Sequence, residues 1–191
     1  MTDAPTRDDV LRARETIGPR LARTPLLGNR TIGARLKCEL FQRTGSFKVR
    51  GALNKISSLS DDEKARGVIA ISAGNHAQAV AFGAAAEGID ALVVMWKSAS
   101  AQKIAATRGY GAAVDLEAAS PGDAFARLDA LIEETGRALV HPFDDPLVLA
   151  GQAPSVSRSR KTHRTSTPSS SRWGAAASSA ASRPQSGTGH A

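Results

Sequence analysis

The sequence predicts an α/β fold in which a parallel sheet carries helices on its faces. Three short apolar runs, at 67–72, 91–96 and 112–116, are typical of strands that are buried on both sides. A helical pattern follows each of these runs, and Ala138–His141 forms a short fourth run. Strands that alternate with helices at this spacing indicate parallel pairing, because each helix returns the chain to the same edge of the sheet.

The helices between these strands are predicted from apolar spacing. They cover about Asn75–Glu87, Ser100–Arg108 and Gly122–Thr135. Ahead of the first apolar run, Ser60 is followed three residues later by Glu63, which is the pattern of a capping box and predicts a helix start.

The first sixty residues are less regular. Asp8–Leu21 is predicted to be a helix with Asp8 or Asp9 as its N-cap, since apolar residues recur near helical spacing. Ala34–Leu40 alternates between polar and apolar residues and predicts a strand, and a helix is predicted from Lys48 to about Leu59.

Composition excludes several classes of protein. The chain has 191 residues, of which 41% are hydrophobic, and no apolar run reaches membrane-spanning length. The polar N-terminus is unlike a signal peptide, and the single cysteine, Cys38, allows no internal disulfide. We therefore expect a cytoplasmic protein without a membrane partner, in which Cys38 lies in a strand and is buried and inert.

The net charge of +7 comes almost entirely from the C-terminal segment. Residues 153–191 contain six basic residues and no acidic residue, and they are rich in Ser, Ala and Arg. Such a composition predicts a disordered tail. A nucleic-acid binder would have to use this tail alone, so we expect no nucleic-acid partner and keep tail binding as an alternative.

Lys48 is the first candidate for chemistry. It stands between Phe47 and Val49, and the Gly45-Ser46 turn signal immediately precedes Phe47. An amine with apolar neighbours can be desolvated, which lowers its pKa and makes it a nucleophile toward carbonyl groups. The alternative is a lysine at a helix start whose amine points into water.

The second candidate is the turn Ser72–His76, between a predicted strand and a predicted helix. Its residues are Ser72, Ala73, Gly74, Asn75 and His76. The turn provides free N–H groups at a helix start and side-chain donors, which together suit an anion such as a carboxylate. The alternative is ordinary capping by Asn75, with His76 as an exposed neighbour.

Several sequence segments together resemble a known family. They are R-T-G-S-F-K-V-R-G-A (43–52), S-A-G-N-H-A-Q (72–78), A-T-R-G-Y-G-A (106–112), V-H-P-F-D-D-P (140–146) and A-G-Q (150–152). In this order they resemble the fold-type-II (tryptophan synthase β-like) pyridoxal-phosphate enzymes. The resemblance covers Thr24 to Gln152 and is greatest to the threonine ammonia-lyase (threonine dehydratase) and serine racemase group. His76 favours this group over the cysteine synthases, which usually have Thr at that place.

The resemblance implies a role for each residue of the two motifs. Lys48 would be the catalytic residue, forming the Schiff base with pyridoxal 5'-phosphate and later taking the α-proton of an amino-acid substrate. Phe47 would pack near the cofactor ring, Asn75 would hydrogen-bond the ring hydroxyl, and the turn 72–76 would hold the substrate carboxylate. A general-base role for His76 stays as an alternative.

The reaction implied is the conversion of threonine or serine to a 2-oxo acid and ammonia. Serine racemase and 3-hydroxyaspartate dehydratase activities remain alternatives, and so does a non-catalytic, pseudogene-like chain. The resemblance also implies that the parent enzyme is a homo-oligomer. No metal site is expected, because Asp144-Asp145 between prolines is more typical of a turn than of a metal pair.

The resemblance ends at Gln152, before the glycine-rich loop that would hold the cofactor phosphate. When codons are read one nucleotide earlier, R-W-G-A-A-A-S-S-A (172–180) can decode to P-V-G-G-G-G-L-I-G, which resembles that loop. We therefore expect a one-nucleotide loss near Gln152 that truncates the enzyme and leaves 151–191 out of frame.

The resemblance also divides the chain into parts. Residues 1–52 would start the large domain, of which this chain would hold only the N-terminal half, and 53–150 would form the small α/β domain. The strand before Lys48 and the Lys48 helix would then expose apolar surface.

Overall fold

The computed structural model describes residues 4–31 and 33–155. Its strands are β1 (Leu26–Asn29), β2 (Ala34–Lys37), β3 (Val68–Ile71), β4 (Ala91–Trp96), β5 (Ala113–Ala118) and β6 (Ala138–Leu139). Its helices are α1 (Arg7–Ile17), α2 (Lys48–Ser57), α3 (Asp61–Arg66), α4 (Asn75–Glu87), α5 (Ala101–Gly109), α6 (Pro121–Thr135) and α7 (Pro146–Gln152). The predictions for the tail beyond Ser155 lie outside the described residues.

Four strands form one parallel sheet in the order β5-β4-β3-β6, which confirms the predicted fold class. The central strand β3 is buried along its whole length, because helices cover both of its faces. One face packs against α6 through Ile69, Ile71 and Val94. The opposite face packs against α4 through Val68 and Val93. Alternate residues of each strand therefore belong to two different cores.

The helix that begins at Lys48 lies in a second layer. α2 packs on the outside of α4, and α7 packs against both α2 and α1. Val49, Leu53 and Ile56 are fully buried by this arrangement. The expectation that the Lys48 helix exposes apolar surface is therefore wrong, because α4 and α7 cover it.

The same expectation is confirmed for the strand before Lys48, which belongs to a small hairpin with exposed apolar residues. β1 and β2 pair as a separate antiparallel sheet, with Leu27 opposite Leu36. Both leucines are about half exposed, and Leu40 and Phe41, in the short 3₁₀ turn that follows β2, are exposed to a similar degree. The predicted strand Ala34–Leu40 is thus confirmed in its first part and wrong in its last three residues.

The first helix is capped by a residue that the sequence analysis did not choose. Thr6 Oγ1 accepts a hydrogen bond from the Asp9 N–H at 3.2 Å, and the Asp9 carboxylate accepts one from the Thr6 N–H at 2.8 Å. Asp9 is therefore the third residue of a capping box, so the prediction of Asp8 or Asp9 as N-cap is wrong. The predicted box of Ser60 and Glu63 is confirmed at α3.

Asp145 caps the short helix α7. Its Oδ1 accepts hydrogen bonds from the N–H groups of Leu147 and Val148, and its Oδ2 pairs with Lys55 at 2.9 Å.

Within 4–31 and 33–155 no group of three or more His, Cys, Asp or Glu residues is placed to hold a metal ion.

Two smaller findings concern Cys38 and the membrane. Cys38 is buried, as expected, but it follows β2 and does not belong to it. In the described part of the chain, no helix combines the length and the apolar character needed to cross a membrane.

Candidate functional site

The turn Ser72–His76 joins the carboxyl end of β3 to the start of α4. Ser72 Oγ accepts a hydrogen bond from the Gly74 N–H at 3.1 Å and so braces the turn. Gly74 is the N-cap of α4 and provides no side-chain hydrogen bond to the helix. The first N–H groups of α4 are therefore open to an anion. Asn75 is the first helical residue and is exposed, so the alternative of capping by Asn75 is wrong.

Lys48 is the first residue of α2, and its amine forms a hydrogen bond with a backbone carbonyl. Nζ donates a hydrogen bond to Pro142 O at 2.7 Å, and the side chain is half-buried. Nζ also lies 5.4 Å from the centre of the Phe47 ring. Burial lowers the pKa of the Lys48 amine below its ordinary value. The alternative of a lysine pointing into bulk water is therefore wrong.

His76 lies inside the protein, with only 3% of its surface exposed. Its Nε2 is 2.8 Å from Val140 O, and its Nδ1 is buried without a hydrogen-bond partner. Burial lowers the pKa of His76 to about 4; the bond to Val140 opposes this shift, and the charges of Lys48 and His141 add to it. The alternative of His76 as an exposed neighbour is wrong, because the ring turns into the core.

One segment, 140–142, connects Lys48 and His76. It continues β6 and presents the Val140 carbonyl to His76 and the Pro142 carbonyl to Lys48. The turn after it is braced by His141, whose Nδ1 accepts hydrogen bonds from the N–H groups of Phe143 and Asp144, the latter at 2.7 Å. The motif V-H-P-F-D-D-P contributed to the family resemblance, but nothing in the sequence predicted that this segment belongs to the site.

Lys103 is a second site residue that sequence analysis missed. Its Nζ lies 3.6 Å from the position that a Cβ on Gly74 would occupy. The ammonium therefore stands beside the open start of α4 and adds positive charge to it. A sequence signal was present, because a lysine in the first turn of α5 has an unfavourable interaction with the helix dipole.

The turn before Lys48 is strained. Thr44 has φ 62° and ψ 12°, a left-handed conformation that is uncommon for a β-branched residue, and its Oγ1 is buried without a partner. The neighbouring Arg43 guanidinium lies 5.7 Å from the centre of the Phe82 ring on α4. This contact ties the turn to the helix that carries the proposed anion site.

The Lys48 amine and the first turn of α4 both contact the segment 140–142, and the charge of Lys48 contributes to the lowered pKa of His76. An amine with a lowered pKa holds more of its nucleophilic, unprotonated form at neutral pH and can attack an aldehyde. The open N–H groups of α4, with Lys103 beside them, suit a carboxylate. The site can therefore hold a carbonyl compound covalently and orient an acid group near it.

A protein-family model and curated proteins both match this chain over most of its length. The family model described as "Pyridoxal-phosphate dependent enzyme" matches residues 17–157. The chain is 45% identical to the L-threonine dehydratase catabolic TdcB of Escherichia coli K12, over 76% of this chain and 46% of that relative. It is also 45% identical to the protein of the same name from Staphylococcus aureus N315, over 75% of this chain and 44% of that protein.

Solved structures share the fold. Maize serine racemase superposes with a TM-score of 0.81 at 32% identity, covering 85% of this chain and 51% of that chain. The threonine deaminase of T.th. superposes with a TM-score of 0.74 at 41% identity, covering 83% of this chain and 53% of that chain. The chain thus spans about half the length of the relatives that it matches.

Proposed function

This chain belongs to the family of pyridoxal-phosphate-dependent enzymes and is similar to threonine dehydratases and serine racemases. We therefore propose that it carries the lysine-bearing half of an ammonia-lyase site. The reaction proposed for the whole enzyme converts threonine or serine to a 2-oxo acid and ammonia. The cofactor of the family is pyridoxal 5'-phosphate. The parent enzyme is proposed to be a homo-oligomer.

The observation that carries this proposal is the environment of the Lys48 amine. Nζ is half-buried, has a lowered pKa and lies near His76 at the start of α4. Such an amine can react with the aldehyde of the cofactor, because only an unprotonated lysine can attack it. Nδ1 of His76, in the first turn of α4, is buried without a hydrogen-bond partner. The residues present therefore fit the cofactor.

Each proposed site residue has a distinct task. Lys48 Nζ would hold the cofactor through its aldehyde and would take the proton from the substrate α carbon. Phe47 would pack beside the cofactor ring, and Asn75, which is exposed at the start of α4, would hydrogen-bond the ring hydroxyl. The turn 72–76 orients the substrate carboxylate through its backbone N–H groups.

When bound, the cofactor supplies an electron sink for the negative charge that develops at the substrate α carbon. The protein must deliver an unprotonated amine to that carbon, and the lowered pKa of Lys48 serves this step. We do not assign the general-base role to His76 in this proposal, because burial lowers its pKa to about 4 and its ring lies inside the core.

A second candidate activity is serine racemisation, which the likeness to maize serine racemase favours. It would use the same Lys48 amine on the same substrate. Formation of D-serine from L-serine, followed by chiral chromatography, separates this activity from ammonia release. Release of ammonia from 3-hydroxyaspartate tests the third substrate alternative.

We propose that the coding sequence lost one nucleotide near Gln152, which would leave residues 1–52 as the start of a large domain, 53–150 as a small domain and 151–191 out of frame. The abrupt change in composition after Gln152 supports this proposal. Activity of the chain as written is then low or absent. Resequencing the locus tests the idea, and a clean in-frame read with the present tail would refute it.

The cofactor site is tested by adding pyridoxal phosphate to the purified chain. We expect the visible absorbance of a lysine-bound pyridoxal, which borohydride reduction followed by peptide mapping assigns to Lys48. The Lys48→Ala variant should lose this absorbance, and Lys97→Ala, at an exposed lysine on the surface, should keep it. Equal absorbance in wild type and Lys48→Ala would refute the assignment.

A further inference from the structure

We propose that His76 is a positioning residue, which sets the location of the Lys48 amine through the segment 140–142. This inference deepens the proposed function and rests on it in one respect, namely that the position of the amine matters for cofactor binding. The placement itself is tested without the cofactor.

The first step concerns the proton on the His76 ring. Nε2 lies 2.8 Å from Val140 O, and a carbonyl oxygen can only accept a hydrogen bond. Nε2 must therefore carry the proton and donate it. Nδ1 is buried without a partner, so the ring is the neutral Nε2–H tautomer. In this form His76 offers one fixed donor to the end of β6 and no charge.

The second step concerns Val140, which is held from two sides. Its N–H donates to Ile69 O on β3 at 2.9 Å, and its carbonyl accepts from His76. Val140 is fully buried, so neither group has water as a substitute partner. These two bonds attach the end of β6 to the sheet on one side and to α4 on the other.

The third step leads from Val140 to Lys48. Pro142 follows two residues later, and its carbonyl accepts the Lys48 amine at 2.7 Å. His141, between them, accepts the N–H groups of Phe143 and Asp144 and holds the turn in one shape. A shift of Val140 is therefore transmitted to Pro142 O, which is the carbonyl that holds the amine.

Loss of the His76 donor leaves a buried carbonyl without a partner. The end of β6 must then move or admit water, since an unpaired buried carbonyl is costly. The Lys48 amine loses its fixed acceptor and becomes more hydrated. Glutamine at position 76 carries an amide N–H₂ that can replace Nε2–H as the donor, whereas alanine carries none.

The test uses the full chain without cofactor, in wild type, His76→Gln and His76→Ala forms. Lysines labelled with ¹³C-methyl groups are titrated by NMR, and Lys48→Arg identifies the Lys48 signal. We expect Lys48 to titrate below the exposed lysines in wild type and in His76→Gln. In His76→Ala its titration should move up toward the exposed lysines.

A second readout is the amount of pyridoxal bound to Lys48 at neutral pH. Each unit by which the pKa of the amine rises lowers its free fraction about tenfold, so binding by His76→Ala should fall severalfold. Binding by His76→Gln should stay near wild type. Leu128→Ala, a core change at α6 on the opposite face of the sheet, should lower stability without changing the Lys48 titration.

Two outcomes would overturn the proposal. One is a folded His76→Ala chain in which Lys48 titrates as in wild type. The other is failure of His76→Gln to restore the wild-type titration, which would assign the effect to ring volume and not to the donor. If His76→Ala does not fold, ¹⁵N NMR determines which ring nitrogen of wild-type His76 carries the proton. A proton on Nδ1 refutes the proposal.

The proposal and the proposed function can fail separately. Absence of any pyridoxal bound to Lys48 in wild type refutes the cofactor site, while the Lys48 titrations still report on His76. Conversely, normal pyridoxal binding with an unchanged titration in His76→Ala refutes only the positioning role.

Discussion

Gly51 and Gly151 touch where α2 crosses α7. A Cβ built on Gly151 would lie 2.9 Å from the Gly51 Cα and 2.5 Å from Arg50 O, and a Cβ on Gly51 would lie 2.7 Å from Val148 O. The two helix backbones can approach this closely only because neither position carries a side chain. This contact helps to seat α7 on the helix that begins with Lys48.

Gly151→Ala should therefore destabilise the chain. Its new methyl group would meet backbone atoms that cannot rotate away, and overpacking of this kind costs about 1–3 kcal/mol. Gly109→Ala is the matched control, since nothing lies within 4 Å of its Cβ position. Urea unfolding measures both, and equal stabilities of the two variants would contradict the close contact.

Replacement of Arg50 should lower the stability of the chain, because its partner Glu39 is also shielded from water. Arg50 Nε and Nη2 donate to the two Glu39 carboxylate oxygens at 2.7 and 2.9 Å, and Arg50 is only 5% exposed. Burial alone would raise the pKa of Glu39, but the hydrogen bonds from Arg50 and Thr24 outweigh it and lower the pKa overall. Arg50→Met leaves this carboxylate without its main partner.

We expect Arg50→Met to lower the free energy of unfolding by about 3–5 kcal/mol, and Arg50→Met with Glu39→Leu to recover much of the loss. Arg12→Met is the control, because its pair with Asp9 is exposed and should contribute little. Denaturant unfolding of wild type and the three variants forms the test. A double variant less stable than Arg50→Met would argue against a partner left unpaired.

Stability should depend on pH through His76. The pKa of the ring is about 4 in the folded chain against 6.5 in the unfolded chain, so the unfolded chain binds the proton more tightly. The contribution of His76 is then complete above about pH 6.5 and is lost as the pH falls from 6.5 toward 4. Between pH 7 and pH 5 the loss is on the order of 2 kcal/mol.

Urea unfolding of wild type and His76→Gln at several pH values measures this contribution. Glutamine does not titrate, so the stability of wild type should fall relative to the variant as the pH drops from 7 to 5. Parallel pH profiles would mean that the wild-type ring is not held neutral in the core.

Lys103 should strengthen binding of the substrate carboxylate. Its ammonium lies beside Gly74 at the open start of α4, yet it is exposed to solvent, so its contribution is about 1 kcal/mol or less. Lys103→Gln should therefore weaken serine binding to the pyridoxal-loaded chain roughly two- to fivefold. A spectral titration with serine measures this, with Lys97→Gln as control, and unchanged affinity would place the carboxylate elsewhere.

Local patterns predicted the sheet well. The strand at 91–96 and the helix at 75–87 agree with β4 and α4 to the residue, because continuous apolar runs and Gly punctuation are properties of short windows. The hairpin partner β1 was not predicted, since its residues become a strand only by pairing with β2. The short helix α7 was missed because tertiary packing against α1 and α2 stabilises it.

The sequence likewise predicted some residues of the candidate site and missed others. Lys48 and the turn 72–76 were identified from residue type and position, since an amine with apolar neighbours and a strand-to-helix turn are visible in sequence. Lys103 and the segment 140–142 were not, because their relevance lies in distances to residues far along the chain.

The sequence by itself determined the fold class and the family resemblance, and it identified the candidate lysine and the candidate anion-binding turn, because all of these depend on order and spacing along the chain. Only the tertiary structure decided the orientation of the His76 ring. Whether an imidazole faces a ligand or the core depends on which carbonyl lies within hydrogen-bond distance, and here that carbonyl belongs to Val140 on a neighbouring strand end. Packing also placed the Lys48 amine on Pro142 O, a contact that no local pattern encodes.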